Sequence, residues 1–173
     1  MNFKRRHNIM NYRRLGIKTK VLVAILMFLP LSSYAQMDIN QALSRGESVY
    51  VPIYSNVYAG PKASPFLLSA MLSIRNTDPK NEITILKADY YDSNGKMIEG
   101  YMKSPIKLMP LASTFIHIKE RDTRGGPGAS FLVKWQSEKW INRPIIEGVM
   151  LGIVSGRGVS FICPGQILVD DTK

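Results

Sequence analysis

The sequence predicts an all-β protein: a single antiparallel β-sandwich of about eight strands, immunoglobulin-like or similar, preceded by an N-terminal signal peptide helix. Three observations support this fold class. Short segments alternate apolar with polar residues, which is typical of half-buried strands. Turn residues such as Gly, Pro, Asn and Asp separate these segments every ~10–15 residues. Beyond residue 47, no long segment has the spacing of an amphipathic helix. Such a chain buries its apolar faces by packing two sheets together.

The first 35 residues predict a secretory signal peptide. Residues 1–20 carry seven basic side chains and no acidic one, and residues 21–31 form an uncharged apolar run. The Ser-Tyr-Ala sequence at residues 33–35 supplies the small residues of a cleavage site. The run is shorter than the roughly 20 residues of a membrane span. We therefore expect an exported protein, periplasmic or extracellular, with a retained membrane anchor as the alternative. No cysteine directly follows the run, which argues against a bacterial lipoprotein anchor.

Composition narrows the classes of function. The chain has 23 basic and 13 acidic residues, a net charge of +10. Without the seven basic residues of the signal segment, 16 basic residues oppose 13 acidic ones and the net charge falls to +3. That charge is too mild for a nucleic-acid-binding face. Cys163 is the single cysteine, so no internal disulfide can form, and two histidines are too few for a Cys/His metal cluster. We expect no cofactor.

After the signal peptide we predict a short leader at residues 36–47 and one β-sandwich domain at residues 48–173. The clearest strand lies at residues 66–75, where every second residue from Leu68 to Ile74 is apolar. In residues 82–91 the apolar phase slips by one residue, which is what a β-bulge produces.

Later segments continue this pattern. The Asn94-Gly95 pair predicts a tight hairpin at residues 92–96, with positive φ at both residues. Residues 114–119 and 131–135 alternate, and residues 159–161 and 166–169 are short late strands. Residues 145–154 are apolar on both faces apart from Glu147 and two glycines, which predicts a central strand.

Several sequence strings occur in the order of a known family. They are YVPIYS (residues 50–55), LSIRNTD (72–78), YYDSNGK (90–96), PIKLMPLAS (105–113), DTRGGPGASFLVKW (122–135), PIIEGVMLG (144–152) and GVSF (158–161). Through them the chain resembles the bacterial family called domain of unknown function thirty-one twenty-four, whose members are exported or lipid-anchored. The resemblance covers nearly the whole mature chain. It implies no established activity, so it assigns no catalytic residue.

A glycine-rich loop separates two of the predicted strands, and its glycines are Gly125, Gly126 and Gly128. It lacks the GxxxxGK pattern of a P-loop, and it precedes a strand rather than a helix, so both nucleotide-binding interpretations fail. We predict a structural turn. The alternative is a small anion-binding nest assisted by Asp122 and Arg124.

Glu147 is the most unusual acidic residue, because it interrupts an apolar strand. It is predicted to share a buried face with its apolar neighbours and to form a structural ion pair with Arg143 or Arg75. A perturbed carboxylate in a cleft can also be catalytic. The alternative is therefore an envelope hydrolase that uses Glu147 or Asp122 with His117, the one histidine of the mature chain.

Two further groups of residues, three tyrosines and a polar cluster, each have a functional and a structural interpretation. Tyr50, Tyr54 and Tyr58 recur at a spacing of four around Pro52, which predicts a tyrosine stripe on an edge strand or a half-covered rim of the sandwich. The oxygen-bearing side chains of residues 76–82 do not match an EF-hand, and a turn stabilised by Asn and Asp is the simpler interpretation. They comprise Asn76, Asp78, Asn81 and Glu82.

From these observations we expect a non-enzymatic binding or interaction module of the cell envelope. Its partner would be an envelope protein, a peptide or a glycan, contacted by the tyrosines or the glycine-rich loop. We expect no nucleic acid, and contact with a membrane only through a retained signal segment. The alternatives are the hydrolase described above and a purely structural envelope component.

Overall fold

The computed structural model describes residues 43–154 and 156–169. The predicted signal peptide and leader residues 36–42 lie outside the described residues. Within them, all regular structure is β, and the twelve strands are β1 (Ser44–Ile53), β2 (Asn56–Ala59), β3 (Ser64–Leu67), β4 (Ser69–Arg75), β5 (Ile83–Tyr91), β6 (Met97–Gly100), β7 (Ile106–Leu108), β8 (Ser113–Ile118), β9 (Ala129–Ile141), β10 (Ile145–Val154), β11 (Arg157–Pro164) and β12 (Gln166–Leu168).

The strands form three antiparallel sheets. The largest has the order β12-β1-β9-β5-β6, with β7 also paired to β5. A four-stranded sheet has the order β11-β10-β4-β8, and β2 pairs with β3 in a separate ribbon. All of the strand pairs are antiparallel. The predicted all-β class with antiparallel pairing is confirmed. The strand count exceeds the prediction because five strands have only three or four residues, too few to show an alternation.

One hydrophobic core receives side chains from both larger sheets. The predicted alternation is confirmed in β4, where Leu68, Ala70, Leu72 and Ile74 at or beside the strand are buried. From the larger sheet, the buried apolar side chains are Val49, Val51, Ile53, Ile83, Ile85, Ala88, Tyr90, Leu108, Ala129, Phe131, Val133, Trp135 and Ile141. The β-bulge is also confirmed, because the β5–β9 register shifts between Ile85 and Lys87. The shift keeps Ile85 and Ala88 on the same buried face.

Two local predictions at the start of the domain are wrong. The first strand begins at Ser44, inside the segment assigned to the leader. It is also not an edge strand, because β12 pairs with residues 48–50 on one side and β9 pairs along the other. Pro52 is accommodated beyond the last residue that pairs with β12.

The turn at residues 92–96 differs in detail from the predicted hairpin. Gly95 has a φ of 78°, whereas Asn94 does not adopt positive φ. The Asp92 carboxylate accepts hydrogen bonds from the backbone N–H groups of Asn94 and Lys96, both at 2.9 Å. This Asx-type arrangement turns the chain with a single left-handed residue, so the two-residue turn with positive φ at both positions is not needed.

Strand β10 lies inside its sheet, between β11 and β4, as predicted. Its core-facing residues are Ile146, Gly148, Met150 and Gly152. A Cβ atom on Gly148 would lie 2.6 Å from the Pro52 carbonyl oxygen, and one on Gly152 would lie 2.7 Å from that of Leu67. The glycines therefore let the β1 end and β3 approach β10 closely, and the opposite face of β10 points outward.

Candidate functional site

The outer face of the six-stranded sheet carries charged and polar residues together with Tyr50 and Leu132. Lys87 and Lys134 lie opposite each other on β5 and β9, and both are exposed. The Lys87 ammonium lies 2.5 Å from the Asp89 carboxylate. That hydrogen bond raises the pKa of Lys87, although partial burial opposes the effect. This face has the charged character of a sheet surface that meets water.

The outer face of the four-stranded sheet is different, and we call it the apolar face. Opposite residues of antiparallel strands share a face, so the strand register defines its members. Its apolar members are Met71 of β4, Phe115 of β8, Ile145, Val149, Leu151 and Ile153 of β10, and Ile162 of β11, and they are interspersed with polar residues. Phe115, Ile153 and Ile162 are 65%, 67% and 59% exposed. Large apolar side chains that are exposed close together on one sheet face can mark an interaction surface.

Glu147 lies on the apolar face, so its predicted burial inside the sheet is wrong. The prediction counted the strand's apolar residues on this face as core, whereas they point outward. Glu147 Oε1 lies 3.9 Å from Arg75 Nε, and the two side chains are 21% and 56% exposed. Arg75 also donates a hydrogen bond of 3.2 Å to Ser73 Oγ. Arg75, one of the two arginines predicted as partners, therefore lies beside Glu147.

Arg143 pairs with a different acid. Both Arg143 Nε and Nη2 lie 2.6 Å from Glu47 Oε1, and the two side chains are only 13% and 12% exposed. Thr77 Oγ1 donates a 2.7 Å hydrogen bond to the Arg143 carbonyl oxygen. The ion pair predicted between Glu147 and Arg75 is thus present but partly exposed, and the more enclosed pair is formed by Glu47, a residue that the sequence interpretation placed in the leader.

A serine–histidine pair also lies on the outer side of the four-stranded sheet. Ser69 Oγ and His117 Nε2 are 2.8 Å apart. Sequence reasoning missed Ser69, because the two residues are 48 positions apart and the register of β4 against β8 is not visible in the sequence. In the described part of the chain, no carboxylate is hydrogen-bonded to this histidine. A hydroxyl–imidazole contact without an orienting acid lacks one part of a catalytic triad.

The residues of the predicted hydrolase do not share partners. His117 bonds Ser69, Glu147 lies beside Arg75, and Asp122 binds Arg124 in the glycine-rich loop. The Arg124 guanidinium lowers the pKa of Asp122, although burial opposes the effect. A carboxylate held ionised by an arginine is poorly suited to be a general base near neutral pH. The arrangement gives the hydrolase interpretation no support.

The glycine-rich loop is tied to neighbouring turns by its own polar groups. Ser93 Oγ donates to the Gly125 carbonyl at 2.9 Å and accepts from the Gly128 N–H at 2.9 Å. The Gly126 N–H donates to Thr123, and the Gly126 carbonyl accepts from the Ser55 N–H. Arg124 binds Asp122 with Nε at 2.9 Å and Nη2 at 2.7 Å, and Glu99 with Nη2 at 3.0 Å. Because these donors are already used, the geometry favours the turn over the anion nest.

The three tyrosines do not form a stripe. Tyr50 lies on β1 in the six-stranded sheet, whereas Tyr58 lies on β2 in the separate ribbon. Tyr54 falls between the strands and packs edge-on against Phe161, with ring centroids 5.5 Å apart. The spacing of four was misleading because the chain leaves the sheet after Ile53. The predicted tyrosine edge is therefore wrong as a single surface.

The cluster after β4 is a turn built by hydrogen bonds. Asn76 Nδ2 donates to the carbonyls of Asn81 and Met109 at 2.8 and 3.0 Å. Asp78 Oδ1 accepts from the N–H groups of Lys80 and Asn81 at 2.9 and 2.8 Å. Burial alone would raise the pKa of Asp78, but these bonds outweigh it and lower the pKa. Among the described residues, no group of three or more His, Cys, Asp and Glu could hold a metal ion.

The sequence matches the profile of a family described as Protein of unknown function (DUF3124), over residues 46–168. The chain belongs to this family. The resemblance inferred from the sequence strings is thereby confirmed. A search of curated proteins gives no match to this DUF3124 chain. Among solved structures, it is similar to one described as the crystal structure of Thermotoga maritima 1070, with 11% identity and a TM-score of 0.44. That similarity covers 74% of this chain and 96% of the other.

A small cleft of the DUF3124 domain has a volume of about 240 Å³ and is lined by Glu47, Arg143, Trp135 and apolar residues of β1, β10 and β12. Its volume is below the roughly 300–1,000 Å³ of typical ligand pockets. The facing charges of Glu47 and Arg143 pair with each other. A larger cleft of about 740 Å³ is lined mainly by charged and polar residues, among them Lys80, Glu82 and Lys107. We select the apolar face as the candidate site because of its exposed apolar side chains, not because of cavity volume.

In the described ranges, no helix has the length and apolarity needed to cross a membrane.

Proposed function

We propose that this protein is an exported, non-enzymatic binding module of the cell envelope, which contacts a protein partner through its apolar face. For the domain itself we infer a two-sheet sandwich, since both larger sheets contribute to one core. Export is supported by the signal-peptide pattern of residues 1–35.

The observation that carries the proposal is the contrast between the two outer sheet faces. Lys87 and Lys134 are exposed on one face beside Tyr50 and Leu132, whereas Phe115, Leu151 and Ile153 are exposed on the other. Leaving apolar area in water costs about 25 cal/mol per Å² relative to burying it. An antiparallel sheet can expose one face, but that face is ordinarily polar.

The chemistry of the apolar face favours a protein over the other predicted partners. Its exposed apolar side chains are mostly aliphatic, and its polar side chains comprise one Arg75–Glu147 pair, one Ser69–His117 pair and several serines. Sugars are usually bound with several directed hydrogen bonds, and this surface offers few free polar groups for that purpose. An apolar patch with a few polar groups has the composition of a protein interface core.

The test substitutes a charge into the face. Phe115→Lys and Leu151→Lys are both exposed positions, so the variants should fold like the wild type. Gln136→Lys, on the polar outer face of the six-stranded sheet, is the matched control. Tagged proteins are cross-linked in intact envelopes, and the captured proteins are identified by mass spectrometry. We expect both face variants, but not the control, to lose the same partner. Equal capture by all four proteins would contradict the proposal, and would favour a purely structural component.

A further inference from the structure

The edges of the two larger sheets are built differently. The six-stranded sheet ends in short strands, because β12 has three residues and β6 has four. Strand β11, at one end of the four-stranded sheet, has eight residues. Proteins commonly limit uncontrolled strand pairing by shortening or charging their edge strands, and by inserting bulges or prolines.

Strand β11 lacks these protections along most of its length. Its register with β10 is continuous from Arg157 to Pro164, without a bulge. Residues 158–163 include neither a charged residue nor a proline. Gly158, Val159, Ser160 and Ile162 are exposed. Among the described residues no strand pairs with the outer side of β11. That side therefore presents backbone N–H and C=O groups that an extended polypeptide strand can pair with.

The core-facing side of β11 is also incompletely covered. Val159, Phe161 and Cys163 lie opposite Gly152, Met150 and Gly148, which face the core. Met150 is fully buried, whereas Val159 is 37% exposed and Phe161 and Cys163 are only partly buried. A further strand beside β11 would bring apolar side chains against this uncovered border.

We propose that β11 pairs antiparallel with β11 of a second copy of this chain, about a two-fold axis that passes beside Phe161. The pairing joins two four-stranded sheets into one of eight strands. A second copy fits because an antiparallel edge is self-complementary, and because the uncharged segment does not repel itself. It also supplies matching apolar residues for the uncovered side. The inference concerns the edge of the sheet, and does not rest on the function proposed for the apolar face.

The register follows from the two faces of the strand. Opposite residues in an antiparallel pair share a face, so the axis must pass beside a residue rather than between two. An axis beside Phe161 sets Val159 of one copy opposite Cys163 of the other, and Ser160 opposite Ile162. An axis beside Ser160 would instead bring Arg157 into the pairing, opposite Cys163. The first register keeps the charged residue outside the pairing.

Oligomeric state tests the pairing. Sedimentation analysis of the protein purified from its producing cells should show a concentration-dependent dimer. Ser160→Lys should abolish it, because two added charges would lie close together beside the axis. Gln166→Lys, an exposed position on the short edge strand β12, is the matched control and should dimerise normally. A monomer at concentrations up to about 1 mM, where even weak specific pairs form, would overturn the inference, as would a dimer that survives Ser160→Lys.

A cysteine introduced at Val159 tests the register. In Val159→Cys, the new thiol of one copy would lie opposite the native Cys163 thiol of the other copy. Their Cα atoms would be about 5 Å apart, which allows a disulfide. Positions 159 and 163 of the same copy are roughly 13 Å apart along the strand, so they cannot form a disulfide within one chain. We expect Val159→Cys to form a disulfide-linked dimer under mild oxidation, and the wild type, with Cys163 alone, not to do so. A cross-linked wild type, or no cross-link in the variant, would overturn the register.

The outcomes for the edge and the apolar face are distinguishable. Phe115 lies on β8, three strands away from β11, about 14 Å at ordinary strand spacing. Phe115→Lys should therefore leave the dimer intact while removing the partner captured by the apolar face. If Ser160→Lys abolishes dimers and Phe115→Lys changes nothing, the edge inference stands and the proposed function fails.

Discussion

At the scale of single residues, two glutamate–arginine pairs have different surroundings. The Glu47–Arg143 pair is almost enclosed, whereas Arg75 beside Glu147 is 56% exposed. Removing one partner of a buried pair leaves an uncompensated charge and costs about 3–5 kcal/mol, and an exposed pair is worth about 0–1 kcal/mol. We expect Glu47→Ala to lower the free energy of unfolding by about 3 kcal/mol, and Glu147→Ala by less than about 1 kcal/mol.

Denaturant unfolding of both variants measures this difference. Glu47→Gln is the control for shape, because it keeps a hydrogen-bond acceptor near Arg143 while removing the negative charge. It should cost less than Glu47→Ala. Equal losses of unfolding free energy in Glu47→Ala and Glu147→Ala would contradict this prediction, because the contribution of each ion pair would then not depend on its burial.

At the scale of elements, the glycine-rich loop makes a prediction that separates its two interpretations. Gly126 has a φ of 74°, where alanine carries a cost of roughly 1–2 kcal/mol, and its Cβ would lie 2.7 Å from Ser93 Oγ. Gly60 has a similar φ of 76°, but a Cβ there meets nothing within 4 Å. We expect Gly126→Ala to destabilise the protein more than Gly60→Ala, as measured by thermal unfolding.

Anions provide the second half of that experiment. The turn interpretation expects the loss at Gly126 to be the same with and without phosphate or sulfate at constant ionic strength. An anion nest would instead give the wild type a saturable gain in stability by ligand linkage, and Arg124→Ala would remove it. Such a gain would reject the turn-only interpretation, despite the contacts of Arg124 with Asp122 and Glu99.

Strand β10 shows that the sequence can predict a strand without predicting which of its two faces is buried. Its length, its central place and its apolar character were predictable from residues 145–154. The buried face was not, because a strand that is apolar on both sides has no polar side to mark the exterior. Glu147 was assigned to the core with its neighbours, whereas Gly148 and Gly152 occupy the inner positions. The close approach of Pro52 and Leu67 that selects glycine depends on contacts distant in the sequence.

At the scale of the whole molecule, local alternation was sufficient for the β class, the bulge in β5 and most of the core. Pairing between distant strands was not readable from one sequence. Ser69 therefore lacked a visible partner until β4 was set beside β8, and the tyrosines at a spacing of four fell into different elements. The candidate site was missed for the same reason, because the apolar face exists only when β4, β8, β10 and β11 lie side by side.

Export is the remaining property of the whole chain, and the proposed envelope function depends on it. The basic segment at residues 1–20, the apolar run at residues 21–31 and the small residues at 33 and 35 predict cleavage after Ala35. Intact-mass analysis of protein recovered from the envelope should therefore give a chain that begins at Gln36 or within a few residues of it. Ala35→Leu should block processing, because a bulky residue does not fit the small-residue rule, and Ser32→Leu outside that rule is the control. A full-length wild type in the membrane fraction would establish the retained anchor, and a full-length protein in the cytoplasm would remove the basis for an envelope partner.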